Sequence, residues 1–155
     1  MLMIELTPDC DSYSPGSTII AKISLSLPKP TKARGIFATL VCSERSREKV
    51  TKVIDQYDFA REHELGVPRT TELRTEVQER SRERYRQEKQ VAGEGTFQSG
   101  EYQVQFQLPE DAPPTSREFG HDNKIHIWTL SVKLDIPLAL DANNSKEIFV
   151  SGLGE

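Results

Sequence analysis

The sequence predicts an all-β protein folded as a two-layer antiparallel sandwich, and three observations predict it. Residues 102–108 alternate Tyr102, Val104, Phe106 and Leu108 with Gln103, Gln105 and Gln107, so a strand there has one apolar face and one glutamine face. The same two-residue period recurs at residues 19–27 and 126–136. Between these runs stand clusters of Pro, Gly, Asp and Asn, with no convincing helical pattern alternating with strands as a parallel sheet would need.

A short first strand is expected at residues 4–6, followed by turn chemistry at 8–16, where Pro15 presets its φ and Gly16 can take a positive one. A second strand places Ile19, Ala21, Ile23, Leu25 and Leu27 on one face, with Ile20, Lys22, Ser24 and Ser26 on the other. Pro28 and Pro30 end it. The run from Gly35 to Cys42 is apolar on both faces, as a central strand with cover on each side would be. Residues 102–108 stop at Pro109, and the prolines at 113 and 114 stiffen the connection that follows. In the next strand His126, Trp128, Leu130, Val132, Leu134 and Ile136 share a face, and Pro137 closes it. A turn at Asn143-Asn144 is expected to precede a short last strand at 146–150.

Residues 44–90 break this regularity. Arg, Lys and Glu dominate there, Gly66-Val67-Pro68 interrupts the middle, and the apolar points give no single period: Val50, Val53, Ile54 and Tyr57 fit a helix face, whereas Leu73 and Val77 fit a strand face. The segment reads as a charged projection from a single domain spanning 1–155, open to being hairpin, helix or mobile loop. It also accounts for the low mean hydropathy of −0.56, which is polar for a compact domain.

The formal net charge of −4 gives no overall attraction to phosphate backbones or anionic lipid, so no nucleic-acid partner is expected. The N-terminal MLMIEL carries no basic-then-apolar leader, and no apolar run reaches membrane-spanning length, so neither membrane insertion nor export is expected and the cytoplasm is the predicted compartment. Reduced thiols follow from that, leaving Cys10 and Cys42 free, with Cys42 a small core residue.

Four motifs, in order, resemble the arrestin fold in its broad sense, which takes in arrestin-domain adaptors, the retromer subunit Vps26 and Spo0M-like proteins. Tyr13-x-Pro15-Gly16 before the second strand is similar to the family's YxPG-type turn, and the strand at 34–42 follows a short proline-bearing link as in the family. Gly100-Glu101-Tyr102 through Phe106-x-Leu108-Pro109, with the later Pro114-Thr115-Ser116, resembles its GxyxxpFxxxLP…PxS block. Trp128-x-Leu130-x-Val132-x-Leu134-Asp135-x-Pro137 is similar to its YxVxVxLDxP strand. The resemblance covers nearly all of the chain outside the charged segment. It implies an immunoglobulin-like sandwich of the arrestin N-domain type and a non-catalytic adaptor or scaffold role, including in trafficking, with no cofactor. Arrestins pair two such sandwiches, whereas this sequence has room for one. No paired lysines flank residues 4–6, so receptor-phosphate binding is not carried over.

The strongest catalytic or metal candidates are His121, Asp122 and His126. A zinc site needs further ligands, and the two histidines fall in a loop and on a strand. No GxSxG elbow is present, and Gly93 and Gly95 do not open a helix. A metal-dependent hydrolase built on these three residues is therefore the alternative, and no enzyme and no metal is the expectation.

Arg80, Arg82, Arg84 and Arg86 alternate, so on a strand they would line one face beside Tyr85 and could grip phosphate or carboxylates. Glu79, Glu83 and Glu88 interleave with them, which favours an ion-paired surface over an arginine-mediated nucleic-acid or lipid-surface binder. The five residues Arg80, Arg82, Arg84, Tyr85 and Arg86 are the expected contacts of a protein partner. Open sheet edges make a homodimer a further expectation.

Overall fold

The structure, a computed structural model, describes residues 2–56, 70–138 and 141–152, with the side chains of 52–56 and 70–73 left aside. Ten strands and no helix occur among them: β1 (Met3–Pro8), β2 (Ser12–Tyr13), β3 (Thr18–Ser26), β4 (Thr31–Ala33), β5 (Gly35–Gln56), β6 (Thr70–Ala92), β7 (Gly95–Phe97), β8 (Gly100–Gln107), β9 (Lys124–Asp135) and β10 (Ala142–Val150). Among the described residues no helix is long and apolar enough to cross a membrane.

Two sheets carry the fold, one in the order β1-β3-β8 and one in the order β2-β10-β9-β5-β6, with β4-β7 as a small third. Their facing sides are the apolar halves of the alternations. Ile4 and Leu6 on β1, Ile19, Ala21, Ile23 and Leu25 on β3, and Val104 and Phe106 on β8 meet Ile36, Ala38, Leu40 and Cys42 on β5 and Trp128, Leu130, Val132 and Leu134 on β9. Each large side chain so buried contributes about 1.5–3 kcal/mol of transfer free energy. The glutamine face of β8 is exposed, as a half-buried strand requires. This is the all-β, arrestin-like sandwich that the motifs resemble.

The motifs work by docking on one another. Ser14-Pro15-Gly16-Ser17 forms a turn closed by Ser17 N–H to Ser14 O at 3.1 Å, with Gly16 at φ 82° where a side chain would be strained. Gly16 N–H then donates to Pro109 O at 3.1 Å and Leu108 N–H to Ser17 O at 2.9 Å, so the Tyr-x-Pro-Gly turn is fastened to the Leu-Pro end of β8. The Tyr13 hydroxyl donates to Asp9 Oδ1 at 2.6 Å. Residues 113–116 enter where β9 and β10 splay apart: Thr115 N–H reaches Val150 O at 2.8 Å and Ser116 N–H reaches His126 O at 2.9 Å.

Three strand-level expectations change. Asn143 and Asn144 lie inside β10 rather than in a turn, and Asn144 Nδ2 donates to Ile4 O at 2.9 Å, tying β10 to β1 in the other sheet. The short β2 pairs β10 in parallel, so the sandwich is not purely antiparallel. The outer face of β5 is only half-buried at Phe37, Thr39 and Val41, not packed under a second layer.

Candidate functional site

The charged stretch forms the longest elements of the chain. β5 and β6 pair antiparallel from Ile36↔Ala92 to Gln56↔Thr70. A helix over residues 50–56 is therefore excluded, while Tyr57, Phe59, His63, Leu65 and Gly66-Val67-Pro68 lie outside the described residues. Along the first half of β5 the pair is sheet interior, because β9 runs beside β5 up to Ser46↔Lys124 and Arg47 N–H still bonds Asn123 O at 2.9 Å. Beyond that point β6 is the sole strand neighbour of β5 among the described residues, and the two continue as a ribbon whose side chains at 47–51 and 74–79 are exposed or half-buried on both faces.

The transition from core to ribbon is visible in successive cross-strand rows. Trp128, Cys42 and Tyr85 form one row, His126, Glu44 and Arg82 the next, and Lys124, Ser46 and Arg80 the third. In the first, Tyr85 is half-buried with its ring 5.6 Å from that of the buried Trp128, whose indole N–H donates to Pro113 O at 2.9 Å. In the second, the buried Glu44 carboxylate accepts from His126 Nε2 at 2.8 Å and from Arg82 Nε at 2.7 Å, with Arg84 Nε 3.8 Å away. Burial pushes the Glu44 carboxyl up, but the hydrogen bonds from His126 and Arg82 and the charges of Arg82 and Lys124 outweigh it and hold it at about 2. It is a permanent anion that ends the apolar row. Burial likewise pushes the Cys42 thiol up to about 12, so it is an inert core group.

The structure does not place the four arginines on one face. The register of β6 slips between Cys42↔Tyr85 and Ser43↔Glu83, leaving Arg84 as the extra residue of a β-bulge. Arg80 and Arg82 share the face of Tyr85, Arg84 leans toward Glu44, and Arg86 falls on the opposite face, paired with Glu83 at 2.9 Å and Glu88 at 3.6 Å. The ion-paired reading of this surface is correct for Arg82, Arg84 and Arg86. Arg80 is exposed and has no ion-pair partner among the described residues.

His121 and Asp122 sit exposed in a turn where Asp122 Oδ1 accepts from Lys124 N–H at 3.3 Å, whereas His126 is buried against Glu44. No group of three or more His, Cys, Asp or Glu side chains able to hold a metal occurs among the described residues. The turn instead buttresses the ribbon: Arg47 lies over the Phe119 ring, 4.5 Å from its centroid. Sequence reasoning missed Glu44, although its parity with Ile36, Ala38, Leu40 and Cys42 signalled an inward carboxylate, and His126 shared the face of Trp128.

No family model and no curated protein matches this chain. Among solved structures it is similar to Spo0M, a sporulation control protein from Bacillus subtilis, with a TM-score of 0.62 and 20% sequence identity over 97% of this chain and 49% of that one. The chain thus spans about half the length of that protein, and the likeness is one of fold.

Proposed function

We propose that this chain is a non-catalytic protein-interaction module of arrestin-like type, acting as an adaptor that holds partners along the β5–β6 ribbon and its open edge. The observation that carries the reading is the ribbon itself, whose described outer half continues past the end of β9 with no third strand beside it. A projection of this kind does nothing for the core and offers backbone hydrogen bonds to an incoming strand, with its Arg and Glu side chains selecting among partners. Of the residues expected to make contact, Arg80 is exposed, Arg82, Arg84 and Arg86 reach solvent while paired with Glu44 or Glu83, and Tyr85 is half-buried against Trp128. The arginine-mediated nucleic-acid or lipid reading is disfavoured, because Arg82, Arg84 and Arg86 already face carboxylates. We place its action in the cytoplasm, in keeping with the two free thiols.

The test shortens the ribbon without touching its base. Glu48 and Gln78 are directly paired, so replacing residues 49–77 by Asn-Gly closes a two-residue hairpin there. The shortened chain should fold with an unchanged melting temperature and, with Arg80→Ala and Arg86→Ala added because those contacts lie below the cut, lose the proteins that co-purify with the full chain from its native cell. Retention of the same proteins would sink the reading.

A further inference from the structure

We propose that the outer edge of β6 pairs with the same edge of a second copy of this chain, antiparallel, about a two-fold axis passing between Arg82 and Glu83. The inference names one occupant for the edge that the proposed function leaves open, and rests on that reading only in needing the edge free.

β6 is the terminal strand of its sheet, so among the described residues its second row of backbone N–H and C=O groups pairs with no strand, although at its inner end Lys89 Nζ donates to Gln105 O of β8 in the other sheet and lies over the Phe106 ring. Edge strands normally discourage pairing with like charges. This one carries both signs, and the bulge decides which register they can meet in. A two-fold axis normal to the sheet keeps each face on its own side, so residues that stand opposite one another must share a face. On the Trp128 side these are Glu76, Gln78, Arg80 and Arg82 before the bulge and Tyr85, Gln87 and Lys89 after it, as their partners on β5 fix. On the other side they are Val77, Glu79, Ser81 and Glu83 before it and Arg86 and Glu88 after it, so in the register proposed the faces match everywhere except at 81–84, beside the bulge on the axis. Even-numbered positions before the bulge thus match odd-numbered ones after it. Only an axis close to Arg84 lets both halves of β6 pair with faces matched.

Such registers lie two residues apart and charge separates them; an axis between Arg84 and Tyr85, for example, sets Arg80 against Lys89. With the axis between Arg82 and Glu83, Glu79 stands opposite Arg86, Glu76 opposite Lys89, Gln78 opposite Gln87 and Arg80 opposite Tyr85, whose ring suits a guanidinium. No like charges meet. The neighbouring register in one direction sets Glu79 against Glu88, and that in the other sets Arg74 against Lys89. The bulge that splits the arginine row is the feature that makes the edge self-complementary.

Light scattering across a concentration series, with circular dichroism confirming each fold, tests the proposal on the full chain. The wild type should reach twice the chain mass of 17.5 kDa. Glu79→Arg alone sets Arg against Arg, Arg86→Glu alone sets Glu against Glu, and each should weaken the dimer by at least about tenfold. An equal mixture of the two variants restores an Arg–Glu pair at both symmetry-related positions and should dimerise like the wild type. A monomeric wild type, single variants that dimerise unchanged, or a mixture that stays monomeric overturns the proposal. Should a charge reversal unfold the chain, Gln78→Cys and Gln87→Cys chains in a Cys10→Ser background should form an interchain disulfide when mixed and little when separate; equal linking in all three samples overturns the register. Loss of co-purifying proteins on shortening the ribbon, together with a monomeric wild type, would leave the adaptor reading standing without this one.

Discussion

His126 Nε2 stands 2.8 Å from Glu44 Oε2 across the boundary of β9 and β5, with side chains only 10% and 5% exposed. A buried carboxylate is costly unless its oxygens are met by donors, and here Arg82 satisfies the other oxygen from the third strand of the row. The three side chains bind β9, β5 and β6 where the apolar interior gives way to the ribbon. They are a structural lock at the base of the ribbon.

Removing the centre of this lock should cost much more than removing its rim. Glu44→Ala leaves His126 without its buried partner and is expected to destabilise the chain by about 3 kcal/mol. Arg82→Ala, whose side chain is 63% exposed, should cost only about 1 kcal/mol. Urea unfolding of the two variants checks the order, and equal losses would contradict it.

The same carboxylate gives an acid limit to stability. Its folded value of about 2 lies below the ordinary 4.5, so the folded state binds this proton less readily than the unfolded chain does. The stabilisation is complete above the unfolded value and is lost as pH falls from there through about 2. Asp9, lowered chiefly by the Tyr13 hydroxyl, adds to the same slope. Glu44→Gln should therefore flatten, without abolishing, the fall in melting temperature between pH 4.5 and 2; an unchanged slope would contradict the assignment.

What could be read in the sequence follows from where one face is dry. β3, β8 and β9 bury one side, so Ile19, Tyr102 and Trp128 each begin a period of two that the structure keeps. Where the ribbon's side chains are described, at 47–51 and 74–79, neither face is buried and nothing imposes alternation, and the spacing of Val50, Val53 and Ile54 in the sequence imitates a helix. Asn143-Asn144 has turn chemistry, yet Ile4 O takes the Asn144 amide and the strand runs through. The bulge at Arg84 is a property of backbone register between two strands, and composition along one strand cannot carry it. The arginines were therefore legible in the sequence, whereas the Glu44, His126 and Arg82 cluster was not.

The two thiols should differ in reach. Cys10 is exposed and Cys42 is buried, its thiol pushed up to about 12 chiefly by that burial. A thiol reagent at neutral pH should modify one group in the folded chain and the second only on unfolding. Two fast equivalents in the folded chain would show that the β5–β9 interior is open.

Trp128 is the only tryptophan and has no exposed surface, so its emission should be blue-shifted in the folded chain and move to the red on unfolding. Its indole N–H holds Pro113 O, and the segment it anchors delivers Thr115 to Val150 and Ser116 to His126. Trp128→Phe keeps an aromatic ring beside Tyr85 but loses that hydrogen bond and part of the packed volume, for an expected cost of about 2 kcal/mol. The loss should be local before it is global: amide exchange at Thr115 and Ser116 should accelerate more than at Leu40 or Val132 in the sheet. Uniform acceleration along the chain would mean that residues 113–116 are held by the sandwich as a whole, and that the indole is a filler of space with no anchoring role.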